Sequence, residues 1–188
     1  MNEVLNAIYG RASVRSFKPD QVPEETVKEL LNAGFHAANG INTQALRFVV
    51  VQNKEQINGL SDAAKSIYIE DAEETGESNP FLLQAYKRGG SIFHDAPTVI
   101  FIFASPEVAT PTEDAALAAG NILLAAHSLG YGGCIIGLAD PLESHIEFWE
   151  DNNVPEDHIY LTAVAVGKPA GAVAPSPRSE VKVLSWIR

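Results

Sequence analysis

Arg11, Ser13 and Arg15 occupy alternate positions of the stretch RASVRSF. In an extended segment that spacing turns all three to one side, so two guanidiniums and a hydroxyl can converge on one anion. The planar donor fork of arginine grips two phosphate oxygens at once. A solvated surface turn would show the same cluster, and spacing alone leaves these two readings level. The setting sharpens the question, because the chain carries 24 Asp+Glu against 13 Lys+Arg, a net charge of −11. Two more polar elements are candidates for the same ligand. Asn42 and Gln44, in NTQ, carry amides that donate and accept; they could read the edge of a flat heterocycle or simply close an Asx turn. Arg178 lies in PSPR, a proline-stiffened segment near the end of the sequence.

Other chemistries find no support. SLGYGGCIIG contains G-x-G, but it follows a helix and enters a strand, the reverse of the dinucleotide-binding context. Neither a phosphate-binding P-loop sequence nor a G-x-S-x-G elbow is present. The five histidines show no metal-ligand spacing. Cys134, the single cysteine, sits among apolar neighbours and reads as a packed residue. The acidic balance argues against a broad nucleic-acid surface and against an anionic membrane surface. With no apolar run after a basic start and no apolar stretch of membrane-spanning length, the expectation is a cytoplasmic protein.

At 188 residues, 46% of them hydrophobic, the chain suits one domain over residues 1–188. NEVLNAIYG reads as a short amphipathic helix stopped by Gly10. Pro23 opens a second helix, PEETVKELLNAGFHAA, with Val27, Leu30, Leu31 and Phe35 at helical spacing. RFVVVQN and APTVIFIFA (96–104) are short β-branched runs expected as buried strands. Residues 55–66 are helical in character, and the acidic stretch from 67 to 90 reads as an exposed excursion or lid. Residues 113–130 form a helix that is apolar nearly all round, which implies burial on several sides; Asn121 within it is expected to satisfy a buried backbone group. GGCIIGLA is a third strand-like run, HIEFWEDNNV a helix, and YLTAVAVG a fourth strand. Strands interleaved with helices place the chain in the α/β or α+β classes.

The order of these motifs resembles the FMN-dependent nitroreductase family. R-x-S-x-R-x-F comes first, then N-x-Q before R-F-V-V-V, then the Ala/Leu helix. G-x-G-x-C-x-I-G, V-x-V-G-K-P and a late P-x-P-R follow, so the resemblance covers nearly the whole chain. It implies an α+β fold with a mainly antiparallel central sheet flanked by helices. It also implies an intertwined homodimer with two FMN sites at the subunit interface.

The same resemblance implies roles for particular residues. Arg11, Ala12 and Ser13 match contacts to the FMN phosphate and ribityl chain, and Arg15 matches the basic residue at the flavin N1/O2 edge. Asn42 and Gln44 match positions reaching the cofactor from the partner subunit. Ile135, Ile136 and Gly137 match the segment whose backbone faces flavin N5, and Arg178 matches a late basic residue at the phosphate. Ala38, Asn39, Ala45 and Leu46 depart from the family's P-S before and P-W after the amide motif. Ser176 replaces a frequent lysine, for which Lys168 could compensate. The activity implied is hydride transfer from NAD(P)H through flavin N5 to a small electrophile, such as a nitroaromatic or quinone, with ping-pong kinetics. The alternative is a flavin carrier or sensor of the same fold without turnover.

Overall fold

A computed structural model describes residues 2–188. Helix α1 (Glu3–Gly10) starts where the Asn2 side chain accepts from Leu5 N–H at 2.9 Å, and α2 spans Glu24–Phe35. Strand β1 (Arg47–Val51) leads into α3 (Lys54–Thr75), capped by Asn53 and ended by Gly76 at φ 68. That glycine supplies the left-handed residue on which many helices end. Helix α4 (Pro80–Lys87) begins under an Asn79 cap with proline in its first turn. Then come β2 (Thr98–Ala104), α5 (Pro111–Ser128), β3 (Gly132–Ile135), α6 (Ile146–Asp151) and β4 (Ile159–Gly167).

The four strands form one antiparallel sheet in the order β1-β2-β4-β3. All seven residues of β2 are buried, because helices cover both faces of the sheet. Side chains alternate across a strand, and β2 divides accordingly. Val99, Phe101 and Phe103 join a core with Phe93, Trp149 and α3. Ile100, Ile102 and Ala104 join a second core with α2 and α5. Close approach of α2 to α5 depends on Gly34, where a Cβ would meet Ile122 Cγ1 at 2.9 Å. Asn121 locks that contact by donating to the Ala33 carbonyl at 3.0 Å, the backbone-satisfying role its sequence position implies.

Two boundaries and two burial patterns differ from the sequence reading. Helix α3 continues through Thr75 and α4 follows, so most of 67–90 is helical. Its acids lie on the solvent face, while Ala72 and Tyr86 turn inward and Tyr68 stacks on Tyr86 at 4.2 Å. The GGCIIGLA run stays in the sheet only to Ile135, then tightens into a 3₁₀ helix over Gly137–Ser144. In α5 the buried stripe is Ala115, Ala118, Ala119, Ile122, Leu123 and Ala126, whereas Leu117 is 50% exposed. Phe35, at the end of α2, is likewise exposed rather than packed. No helix among the described residues is long and apolar enough to cross a membrane.

The 3₁₀ helix carries one electrostatic liability. Partial desolvation of an otherwise exposed side chain, with Glu143 adding to it, pushes the Asp140 carboxyl above its ordinary range. A raised folded-state value means the native state holds the proton more tightly than the unfolded chain. Stability is therefore lost as pH rises through that window, and the penalty is complete at neutral pH. Asp140→Asn is expected to raise the thermal midpoint at pH 7, with the gain shrinking as pH falls into the carboxylate range. Thermal melts from pH 3.5 to 7.5 would check it, and a gain independent of pH would count against this cause.

Candidate functional site

The RASVRSF segment is held extended from both sides. The Arg11 N–H closes α1 on the Ala7 carbonyl at 3.0 Å, and Arg11 itself is extended at φ −65 and ψ 146. Ser13 pairs in parallel with Gly133 on the outer edge of β3, where Val14 N–H donates to Gly133 C=O at 3.1 Å. Beyond it, Lys18 N–H donates to Lys168 C=O at 2.8 Å, and Ala170 N–H to Ser16 C=O at 3.0 Å. Val14 is buried; period-two alternation then leaves its neighbours to face outward. Gly133 must be glycine for this arrangement, because a Cβ there would meet the Ala165 carbonyl at 2.5 Å.

Arg11, Ala12, Ser13 and Arg15 line a cleft of about 700 Å³. Ile8 and Tyr9 from α1, Gly120 and Leu124 from α5, and Pro175, Ser176 and Arg178 from the last segment complete its walls. The sequence pattern thus located both ends of this surface, separated by more than 160 positions. It missed Ile8, Tyr9, Gly120 and Leu124, although Gly120 and Leu124 share a helix face at i,i+4 spacing. At Gly120 an added Cβ would meet nothing within 4 Å; any side chain there would project into the cleft.

Three arginines and no acid line this cleft. Among the described residues, ion pairs join Lys28 to Glu24 and Glu25, Lys65 to Asp62, and His158 to Asp157. Arg11, Arg15 and Arg178 take part in none of them. Arg11 donates to Ser13 Oγ at 3.3 Å, yet its buried Nε has no acceptor in the protein. A buried cationic donor without a partner is costly, and an anion in the cleft would remove that cost. The donor set therefore fits a phosphate-bearing ligand.

The remaining residues singled out in the sequence stand apart from the cleft within this single chain. Asn42 and Gln44 occupy an exposed turn in which Gln44 Nε2 donates to Asn42 Oδ1 at 3.3 Å. Ile41, Asn42 and Gln44 all have positive φ, at 44, 59 and 50. The strained turn is held by buried Asp114, which accepts from Gly40 N–H and from Thr110 Oγ, each at 3.0 Å. The Lys168 ammonium lies over the Tyr131 ring, 5.9 Å from its centroid, and does not line the cleft. Ile135 is half exposed and Ile136 is buried. Ile136 N–H donates to Ala163 C=O at 2.9 Å, whereas the Gly137 amide, first in its 3₁₀ helix, has no acceptor within that helix.

Arg15 also acts on its surroundings. Burial, reinforced by the Arg15 charge, pushes the His94 imidazole below its ordinary range, with Asp95 opposing. Burial raises the Cys134 thiol while Arg15 pulls the other way. Cys134 is thus a packed thiol, as its apolar neighbours imply.

Comparison with known proteins gives this geometry a context. Residues 8–168 match the Nitroreductase family. A nitroreductase from Bacteroides fragilis, solved with bound FMN, superposes with a TM-score of 0.87 at 25% identity, covering 100% of both chains. An NADPH-dependent FMN reductase of Bacillus subtilis is 27% identical over 181 residues, 95% of this chain and 70% of its own length. A relative from Methanothermobacter thermautotrophicus, named as a candidate NADH dehydrogenase/NAD(P)H nitroreductase, is 29% identical over 89% of this chain and 78% of its own. The match takes in the arginine-lined segment, all four strands and the turn at Gly137, and the chain belongs to the nitroreductase family.

Proposed function

We propose that this chain is an FMN-dependent, NAD(P)H-oxidising reductase that acts as a homodimer in the cytoplasm, with residues 1–188 forming one domain. The observation carrying the reading is the cleft itself: three arginines without carboxylate partners and an orphaned Arg11 Nε, in a chain of net charge −11. An acidic protein repels a dianion unless it builds a local positive seat. FMN bound there would supply the redox chemistry, accepting hydride from NAD(P)H and passing it to a small electrophile.

The protein's own part is to bind and orient. Arg11, Ser13 and Arg178 hold the phosphate end, and Ala12 keeps the wall low between them. Arg15 places a fixed cation where charge develops during reduction. Gly137 offers a backbone N–H to the ring, next to Ile135 and Ile136. Lys168 contributes through its carbonyl, which fixes the segment at Lys18. Asn42 and Gln44 complete the site of the opposite subunit. Dimerisation is supported by apolar surface left open in one chain: Leu117, Val181, Leu184, Trp186 and Ile187 are all at least half exposed.

Purified protein should be yellow, release FMN on denaturation, and oxidise NADH or NADPH with a nitroaromatic or quinone. Parallel double-reciprocal lines would support the ping-pong order, and light scattering should give twice the chain mass. Bound FMN that neither nicotinamide reduces would leave the carrier or sensor reading standing. A colourless protein that cannot be reconstituted with FMN would sink both.

A further inference from the structure

A second cavity, of about 230 Å³, opens between α4 and the turn that precedes β2. Phe81, Gln84 and Arg88 line it from the α4 side, Ser91 and His94 from the turn, and Leu138 from the 3₁₀ helix. A dry cavity of about 150 Å³ accommodates benzene, so this one has room for a monocyclic ring with a substituent. Phe81 and Leu138 offer it apolar walls. Arg88 supplies a cation, joins none of the ion pairs among the described residues, and shares the lining with no acid.

Two residues of this cavity relate it to groups proposed for the flavin ring. His94 lies close enough to Arg15 to feel its charge, and Leu138 directly follows Gly137. The cavity thus includes the sequence neighbour of one residue proposed for the flavin ring, Gly137, and a histidine that senses the other, Arg15. The backbone of the turn is pinned on one side of it. Lys65 Nζ donates to Gly90 C=O at 2.6 Å, and Ile92 N–H to Ser61 Oγ at 3.0 Å. His94 and Asp95 are both held in the left-handed region, at φ 57 and 56. Such backbone strain persists only where surrounding structure enforces it, and it concentrates at functional sites.

We propose that this cavity selects the electron acceptor, favouring a planar conjugated molecule that carries a carboxylate, with Arg88 as its anion contact. The inference rests on the reductase reading above for the words "electron acceptor", but the binding preference stands apart from it. Arg88 reads the carboxylate through its donor fork. Phe81 packs on the ring, and His94 and Gln84 offer hydrogen bonds across the cavity.

The test compares 4-nitrobenzoate with 4-nitrobenzamide, which differ in charge and little in shape. With FMN-loaded wild-type protein, KM should be lower for the carboxylate. In Arg88→Gln its kcat/KM should fall at least tenfold more than that of the amide, and Arg88→Lys should recover part of the loss. Titration calorimetry with the same two compounds reads the preference without turnover, so an inactive protein does not void the test. Equal binding of both compounds to wild type, or equal losses in Arg88→Gln, would overturn the proposal. A preference in binding without any reduction would keep the pocket and reject the reductase.

Discussion

Arg11→Ala is expected to weaken FMN binding by about 1.5–3 kcal/mol, the scale of a hydrogen bond to a charged group. That corresponds to roughly a ten- to hundredfold rise in Kd. Its guanidinium is part-buried, anchored only to Ser13 Oγ, and leaves Nε aimed at no protein acceptor. Losing the side chain would remove the proposed phosphate contact without breaking an ion pair, since Arg11 joins none of those among the described residues. The apo thermal midpoint should therefore stay near wild type, or rise, while the stabilisation conferred by added FMN shrinks. Fluorescence titration of stripped protein measures the first quantity and paired melts the second. Arg15→Ala provides the contrast: the flavin potential should move downward more than the affinity falls. If Arg11→Ala keeps full affinity, the phosphate seat has been placed wrongly even though the family stands.

The second large effect lies in the core. Phe101→Ala should destabilise the fold by about 3–5 kcal/mol, the cost of deleting a fully buried aromatic and leaving a cavity. Phe101 is 0% exposed and meets Phe93 edge-on at 5.9 Å and Trp149 at 5.1 Å. It lies opposite Ala163 on β4, a residue too small to fill the gap. Urea unfolding should show a lower midpoint with an unchanged slope. A loss below about 1 kcal/mol would mean that this core repacks, contrary to its density.

The sequence carried much of this because its signals are local. Alternate polar residues in RASVRSF, the buried β-branched runs and the capped helices all follow from short-range sterics and burial. Register and partner choice did not. Nothing in GGCIIGLA announces that Ile136 leaves the sheet, because the run stays apolar when the chain tightens into a 3₁₀ helix. The acids of α3 masked the second half of a helix whose first half, residues 55–66, was legible, since beyond that point only Ala72 reports the core. Arg178 was legible as a neighbour of Arg11 only through the family resemblance, because nothing local in PSPR reports which distant segment it meets. The cavity at Arg88 was hidden for the same reason: it joins α4, a strained turn and the 3₁₀ helix.

The pairing of Ser13 with Gly133 has a consequence beyond the cleft. An outer strand with free N–H and C=O groups is a template for another chain. Strand β3 is the outermost of this sheet, and the parallel bridge at Ser13, with Val14 N–H on Gly133, occupies part of its open side. The segment proposed to hold the phosphate thus also covers an edge that could otherwise template edge-to-edge pairing. On the proposed reading, a substitution in this short stretch bears at once on ligand binding and on the protection of an open strand edge.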